Sequence, residues 1–186
     1  MSNTEGLKYT PLFHSEISSS YLIHEIFNEH DEIAREFLKK FLGIEITNET
    51  VSIKREHNYK GEGSIDLFIR FNSRDRETHV LIEVKVHDYK SATKGQIPRY
   101  YHAAKEAFPE ADIYFIYLTQ FNEVDTPIAN DISTPPTIEE YNRSKNIIDK
   151  QKLKHICWES FHEFLNHFSD TLSKEETLMV NLLSKI

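Results

Sequence analysis

The chain has 186 residues, 39% of them hydrophobic and 28% charged, with a net charge of −8 and one cysteine. That is the profile of one soluble globular domain with room for a substantial core. No apolar run nears the roughly 20 residues a membrane helix needs, the polar stretch Met1 to Tyr9 lacks a signal-peptide core, and Cys157 alone excludes an internal disulfide, so the reading is a reducing cytoplasm.

Taken in order, Thr10 to Leu42 predicts one or two helices. Ile17, Tyr21, Leu22 and Phe27, then Ile33, Phe37, Leu38, Phe41 and Leu42, recur at close to helical spacing. Ser15 with Glu16, or Asp31 with Glu32, can open them, and Gly43 is a natural stop. His14, His24 and His30 lack the i, i+4 spacing of a helical metal pair and read as surface or partly packed side chains. Thr50 to Tyr59 is a strand by alternation, with Val51, Ile53 and Arg55 opposed to Ser52, Lys54 and Glu56. A Lys60-Gly61-Glu62-Gly63 turn follows, without the Gly-Lys-Ser/Thr of a phosphate loop.

Ser64 to Phe71 and Val80 to Val86 have the length and β-branched and aromatic content of neighbouring strands, with Asn72 to Glu77 as the hairpin connection. Each carries charge where a buried strand is apolar: Asp66 in the first, Glu83 and Lys85 in the second. Ionised groups inside a sheet are costly unless paired, hydrogen-bonded or bound to metal. Glu83 and Lys85 share a face because strand side chains alternate, and hairpin pairing lets Asp66 join them. Two carboxylates and an ammonium at one spot suit a hard divalent cation and a phosphate. The plain alternative is a buried salt bridge or a solvated strand face.

Val86 to Gly95 predicts a polar loop. A helix should start near Lys94 to Gln96 and run to about Phe108, with Pro98 tolerated in its first turn. Gln96 and Tyr100 then lie one turn apart on one face. Ile113 to Leu118 is an apolar strand for the sheet centre, and strand, helix, strand implies a right-handed crossover with parallel pairing. Asn122 to Lys150, rich in Pro, Thr and Asn, predicts an excursion that lids the site or meets a partner, with a short helix over Ile138 to Arg143. Lys154 to Trp158 predicts a last strand, Phe161 to Phe168 and Lys174 to Ile186 two helices, and Trp158 a core aromatic.

Asp66, Glu83-Val84-Lys85 and Gln96 to Tyr100 together resemble the PD-(D/E)XK nuclease superfamily, in the branch with a Gln-x-x-x-Tyr motif; Ile65 stands where the nominal Pro would be. Glu56, Gly61, Gly63 and the late His155-Ile-Cys-Trp-Glu-Ser-Phe run fit the same pattern, and the resemblance spans about Glu16 to the end. It implies an α/β fold, a restriction-endonuclease-like mixed central sheet flanked by helices in a single domain, with its core over about 10–119 and 154–170 and the excursion over 120–153. It also implies a metal-dependent nuclease, DNA ahead of RNA, in which Asp66, Glu83 and the Val84 carbonyl hold Mg²⁺, with Mn²⁺ as a substitute. Lys85, Gln96 and Tyr100 act on water and phosphate. Glu16 is the candidate to reach the metal from the first helix, with Glu25 and Glu56 as rivals.

The acidic total argues against nucleic acid, but between Val51 and Lys105 eleven Lys and Arg face seven Asp and Glu, a net of +4 that leaves −12 elsewhere. The basic excess therefore coincides with the motifs, and Arg55, Lys60, Lys90, Lys94 and Arg99 are the candidate phosphate contacts. The competing readings are a silent nuclease-like module that binds nucleic acid or protein, and an effector nuclease gated by a partner, as in bacterial defence systems. Filled motif positions favour catalysis over the silent module. A homodimer or a regulatory protein partner fits the class, but the sequence carries no interface signature.

Overall fold

A computed structural model describes residues 15–47, 49–59, 61–73, 76–86, 94–120 and 136–183. Among the described residues six helices and five strands follow in the order α1 (Glu16–Glu29), α2 (Asp31–Leu42), β1 (Ser52–Tyr59), β2 (Gly63–Ser73), β3 (Arg76–Val84), α3 (Gln96–Ala107), β4 (Asp112–Thr119), α4 (Pro136–Ser144), β5 (Leu153–Cys157), α5 (Trp158–Asn166) and α6 (Lys174–Leu183). The strands form one mixed sheet in chain order. β1, β2 and β3 pair antiparallel, whereas β3, β4 and β5 pair parallel. No described helix is long and apolar enough to cross a membrane.

Helix boundaries follow local chemistry. Ser15 Oγ accepts the Ser18 amide at 3.1 Å and starts α1. α2 has Asp31 and Glu32 in its first turn and Lys39 and Lys40 in its last, each at the dipole end that favours it. The Cys157 sulfur accepts the Ser160 amide, so α5 opens at Trp158, three residues before the apolar spacing suggests. The hairpin is tighter than expected: Asn72 pairs with Glu77 and Ser73 with Arg76 within the ladder.

Two cores sandwich the sheet. On one face Leu67, Ile69, Val80, Ile82, Ile116 and Ile156 meet α1, α2, α5 and α6, with Phe27, Phe37, Phe161 and Phe164 packed ring against ring at centroid distances of 5.1–6.4 Å. On the other face Phe68, Leu81, Ile113, Phe115 and Tyr117 meet Ile97, Tyr100 and Ala104 of α3. Ile138 and Tyr141 of α4, and Ile148 after it, belong to this second core, so the latter half of the expected excursion is a structural part of the domain.

Strand alternation breaks at one level. Leu67, Ile69 and Phe71 face the first core, but Ile65, of the same parity, faces the second. Val51, just before β1, and Ile53 within it pack on the first core, while His57 stacks on Phe68 and Tyr59 lies in the second. The residues between are Glu56 and Asp66. Glu56 has φ 49°, a backbone value bulky side chains avoid, and its turnover swaps faces in both strands. Asp66 is thereby released from the regular ladder just where β3 delivers Glu83.

Candidate active site

The central strand β3 is buried from Thr78 onward, and its last residues carry the site. Glu83 and Lys85 are 2% and 3% exposed. Their neighbours Ile82, Val84 and Val86 face the first core, so Glu83 and Lys85 point together toward the α3 side. Lys85 Nζ donates to Glu83 Oε1 at 2.7 Å and to Glu16 Oε2 at 3.5 Å. From the start of α3, Gln96 Nε2 donates to the same Glu83 oxygen, and Gln96 is itself 8% exposed. Asp66 Oδ2 accepts the Val84 amide at 2.8 Å, which pins β2 to β3 beside Glu83. Asp66, Glu83, Val84, Lys85, Gln96 and Glu16 thus converge from four elements.

The other sequence candidates lie elsewhere. Tyr100 shares the Gln96 face of α3, but its ring is buried in the second core and its hydroxyl sits against Gly63. Glu25 pairs with His24, and the exposed Glu56 pairs with Arg55 while lying near enough to Asp66 for its charge to help raise that carboxyl. Arg55 turns toward α1, its guanidinium 5.0 Å from the centre of the Tyr21 ring. Arg99 reaches Glu62 at 3.7 Å, and Lys94 is exposed one residue before the α3 cap. Lys60 and Lys90 lie outside the described residues.

Two contributors escaped the sequence reading. Trp158, expected only as a core aromatic, donates its indole N–H to the Lys85 carbonyl at 2.9 Å and anchors the chain just past the site. Glu140, in the expected excursion, hydrogen-bonds the first turn of α3. A buried Trp always needs a partner for its N–H, which was a usable signal; an isolated Glu in a polar segment gave none.

The electrostatics show how incomplete the cluster is. Burial, with Asp66 nearby, pushes the Glu83 carboxyl up to about 8 despite the opposing pull of Lys85. Burial likewise raises Asp66 to about 6, against the pull of the Val84 amide and Lys85. Burial would lower Lys85, but Glu83 and Glu16 outweigh it and hold the ammonium charged. Glu83 Oε2, Glu16 Oε1 and Gln96 Oε1 are buried without a hydrogen-bond partner, each an expensive condition.

Among the described residues no group of three or more His, Cys, Asp and Glu side chains is arranged as a ready-made metal site. The donor set is smaller and harder: two converging carboxylates, a strand end, and orphaned carboxylate oxygens opposed by one ammonium. That chemistry fits a divalent cation with oxygen ligands, which would answer both the orphaned oxygens and the excess negative charge.

Among known families, residues 7–184 match the PD-(D/E)XK nuclease superfamily. The chain belongs to that superfamily, whose fold is the restriction-endonuclease-like sheet seen here, whose substrates are nucleic acids and whose members typically depend on a divalent metal. No curated protein and no solved structure matches the chain.

Proposed function

We propose that this chain is a Mg²⁺-dependent deoxyribonuclease, a phosphodiester hydrolase in which Asp66, Glu83 and the Val84 carbonyl hold the cation and Glu16 approaches it from α1. When bound, the cation lowers the pKa of a water and offsets charge developing on the phosphate. The chain's own groups do the rest. Lys85, held charged by Glu83 and Glu16, donates a hydrogen bond to the attacking water or a non-bridging phosphate oxygen. Gln96, fixed through its amide nitrogen on Glu83, leaves its unpartnered Oε1 to accept a hydrogen bond from the water and so aim the water's lone pair at phosphorus. As the water oxygen bonds to phosphorus and gives up its proton to solvent, the bond to the leaving sugar oxygen breaks and that oxygen takes a proton from solvent. Lys94 and Arg99, exposed beside α3, contact the flanking backbone.

The observation that carries this reading is the convergence of Lys85 and Gln96 on one oxygen of Glu83 while its other oxygen stays buried and unpaired. The test is cleavage of plasmid, linear duplex, single-stranded DNA and RNA with Mg²⁺, Mn²⁺ or EDTA. Cutting that needs metal, prefers DNA and drops by about a thousandfold or more in Lys85→Ala is expected, the scale of losing a charged group aimed at the transition state. Equal cutting by Lys85→Ala, or by any sample in EDTA, sinks the assignment.

A further inference from the structure

α3 begins with a difficulty. Its cap residue is Gly95 at φ 78°, with no side chain to accept the first amides. Capping Ser, Thr, Asp or Asn residues act from extended backbone, so a left-handed cap position cannot be served from within the helix. The first turn nevertheless carries Gln96, whose placement against Glu83 the site depends on, and unanswered amides there would fray.

The answer comes from 45 residues downstream in sequence. Glu140 of α4 is 2% exposed, and its carboxylate spans the turn: Oε2 accepts the Gly95 amide at 2.7 Å and Oε1 the Ile97 amide at 3.2 Å. These are the residues immediately before and after Gln96, and Pro98, next along, has no amide to satisfy. Arg143 Nη1 holds Oε2 at 3.0 Å, and Ile138 and Tyr141 of the same helix pack in one core with Ile97 and Tyr100. A carboxylate at a helix N-terminus is also favoured by the helix dipole.

We propose that Glu140 is a positioning residue for Gln96: a cap supplied from α4 that fixes the first turn of α3 and so sets the Gln96 amide on Glu83. Its effect on catalysis rests on the nuclease reading above; its effect on Gln96 does not. Glu140→Gln keeps the shape but removes the charge and one of the two acceptors.

The experiment compares parent, Glu140→Gln, Gln96→Ala and the double variant by kinetics, and follows the Gln96 side-chain amide resonances and amide exchange at Gly95 and Ile97 by NMR. Ser144→Ala serves as a control: it deletes a 2.7 Å hydrogen bond to the Glu140 carbonyl, loosening α4 without touching the carboxylate. Glu140→Gln should shift the Gln96 resonances, speed exchange at both amides and lower kcat about tenfold with KM little changed, the order expected for one charged hydrogen bond. The double variant should be no slower than Gln96→Ala, because the two losses are one loss. Ser144→Ala should lower Tm and leave kcat alone. If Glu140→Gln does not fold, Glu140→Asp, which keeps the charge but is too short for both amides, is read the same way. Unmoved Gln96 resonances, or losses that simply add in the double variant, overturn the inference. A parent that cuts nothing defeats the nuclease reading, and the NMR arm still decides whether Glu140 positions Gln96.

Discussion

Asp66 illustrates how a residue gains its role from what surrounds it. It has one backbone donor, Val84, and it shares a buried site with Glu83 and Glu16, so its charge is a burden on the folded chain that the proposed cation would offset. Asp66→Asn keeps an acceptor for the Val84 amide while removing that charge. In EDTA this variant should be at least as stable as the parent. Saturating Mg²⁺ should raise the parent's melting temperature by about 5 °C or more, as linkage to a site present only in the folded state requires, and should leave Asp66→Asn unmoved. A parent indifferent to Mg²⁺ in thermal melts would show that the carboxylates hold no cation. A second residue-scale prediction concerns Gly63, at φ 101°, where an added Cβ would stand 3.1 Å from the Tyr100 hydroxyl. Gly63→Ala should cost about 1–3 kcal/mol in urea unfolding. Adding Tyr100→Phe should recover only the part due to the hydroxyl, since the backbone strain remains. The residues of the site were legible for one reason: Asp66, Glu83 and Lys85 interrupt apolar runs, and an interruption is visible in a string of letters. Glu140 interrupts nothing, so its hydrogen bonds to α3 were not legible; Trp158 signalled that its indole N–H needs a partner, but not that the partner is the Lys85 carbonyl.

At the scale of elements, α6 shows how termini are tied to the rest. Ser173 and Glu176 form a reciprocal cap: Ser173 Oγ accepts the Glu176 amide at 3.2 Å and Glu176 Oε2 the Ser173 amide at 2.7 Å. The other Glu176 oxygen meets His30 Nε2 at 3.0 Å, at the junction of α1 and α2. Burial would raise the Glu176 carboxyl, but the Ser173 bonds and His30 hold it below its ordinary 4.5. A depressed carboxylate stabilises above its unfolded pKa, and the contribution is lost as pH falls through the folded value. Glu176→Gln should therefore cost about 1 kcal/mol at pH 7, and the gap between parent and variant should begin to close as pH falls below the ordinary 4.5 and vanish once it has passed the lowered folded value. A gap that persists in acid would assign the loss to packing. Such a cap is readable from Ser-x-x-Glu spacing. The turnover at Glu56 is not, because the letters of β1 and β2 keep their alternation while the backbone swaps faces, and only the partner cores reveal it.

For the molecule as a whole, the question is what the chain between β4 and β5 contributes. Its polar composition suggested a lid or a partner-binding excursion, since three apolar anchors spread over eleven residues leave no period to read. In the fold those anchors, Ile138, Tyr141 and Ile148, close the second core over Ile97, Tyr100, Phe115 and Tyr117. Removing a buried Ile or Tyr costs about 2–5 kcal/mol. Losing three together approaches or exceeds the 5–15 kcal/mol, roughly, that a domain has in total. Deleting 136–150 should therefore abolish cooperative unfolding, as followed by circular dichroism, and with it any cleavage. The gated-enzyme reading demands the opposite, a folded protein with raised basal cutting, because a gate can be removed and a wall of the core cannot. A shortened chain that melts cooperatively and cuts faster than the parent would restore the gate and show that the second core closes without α4.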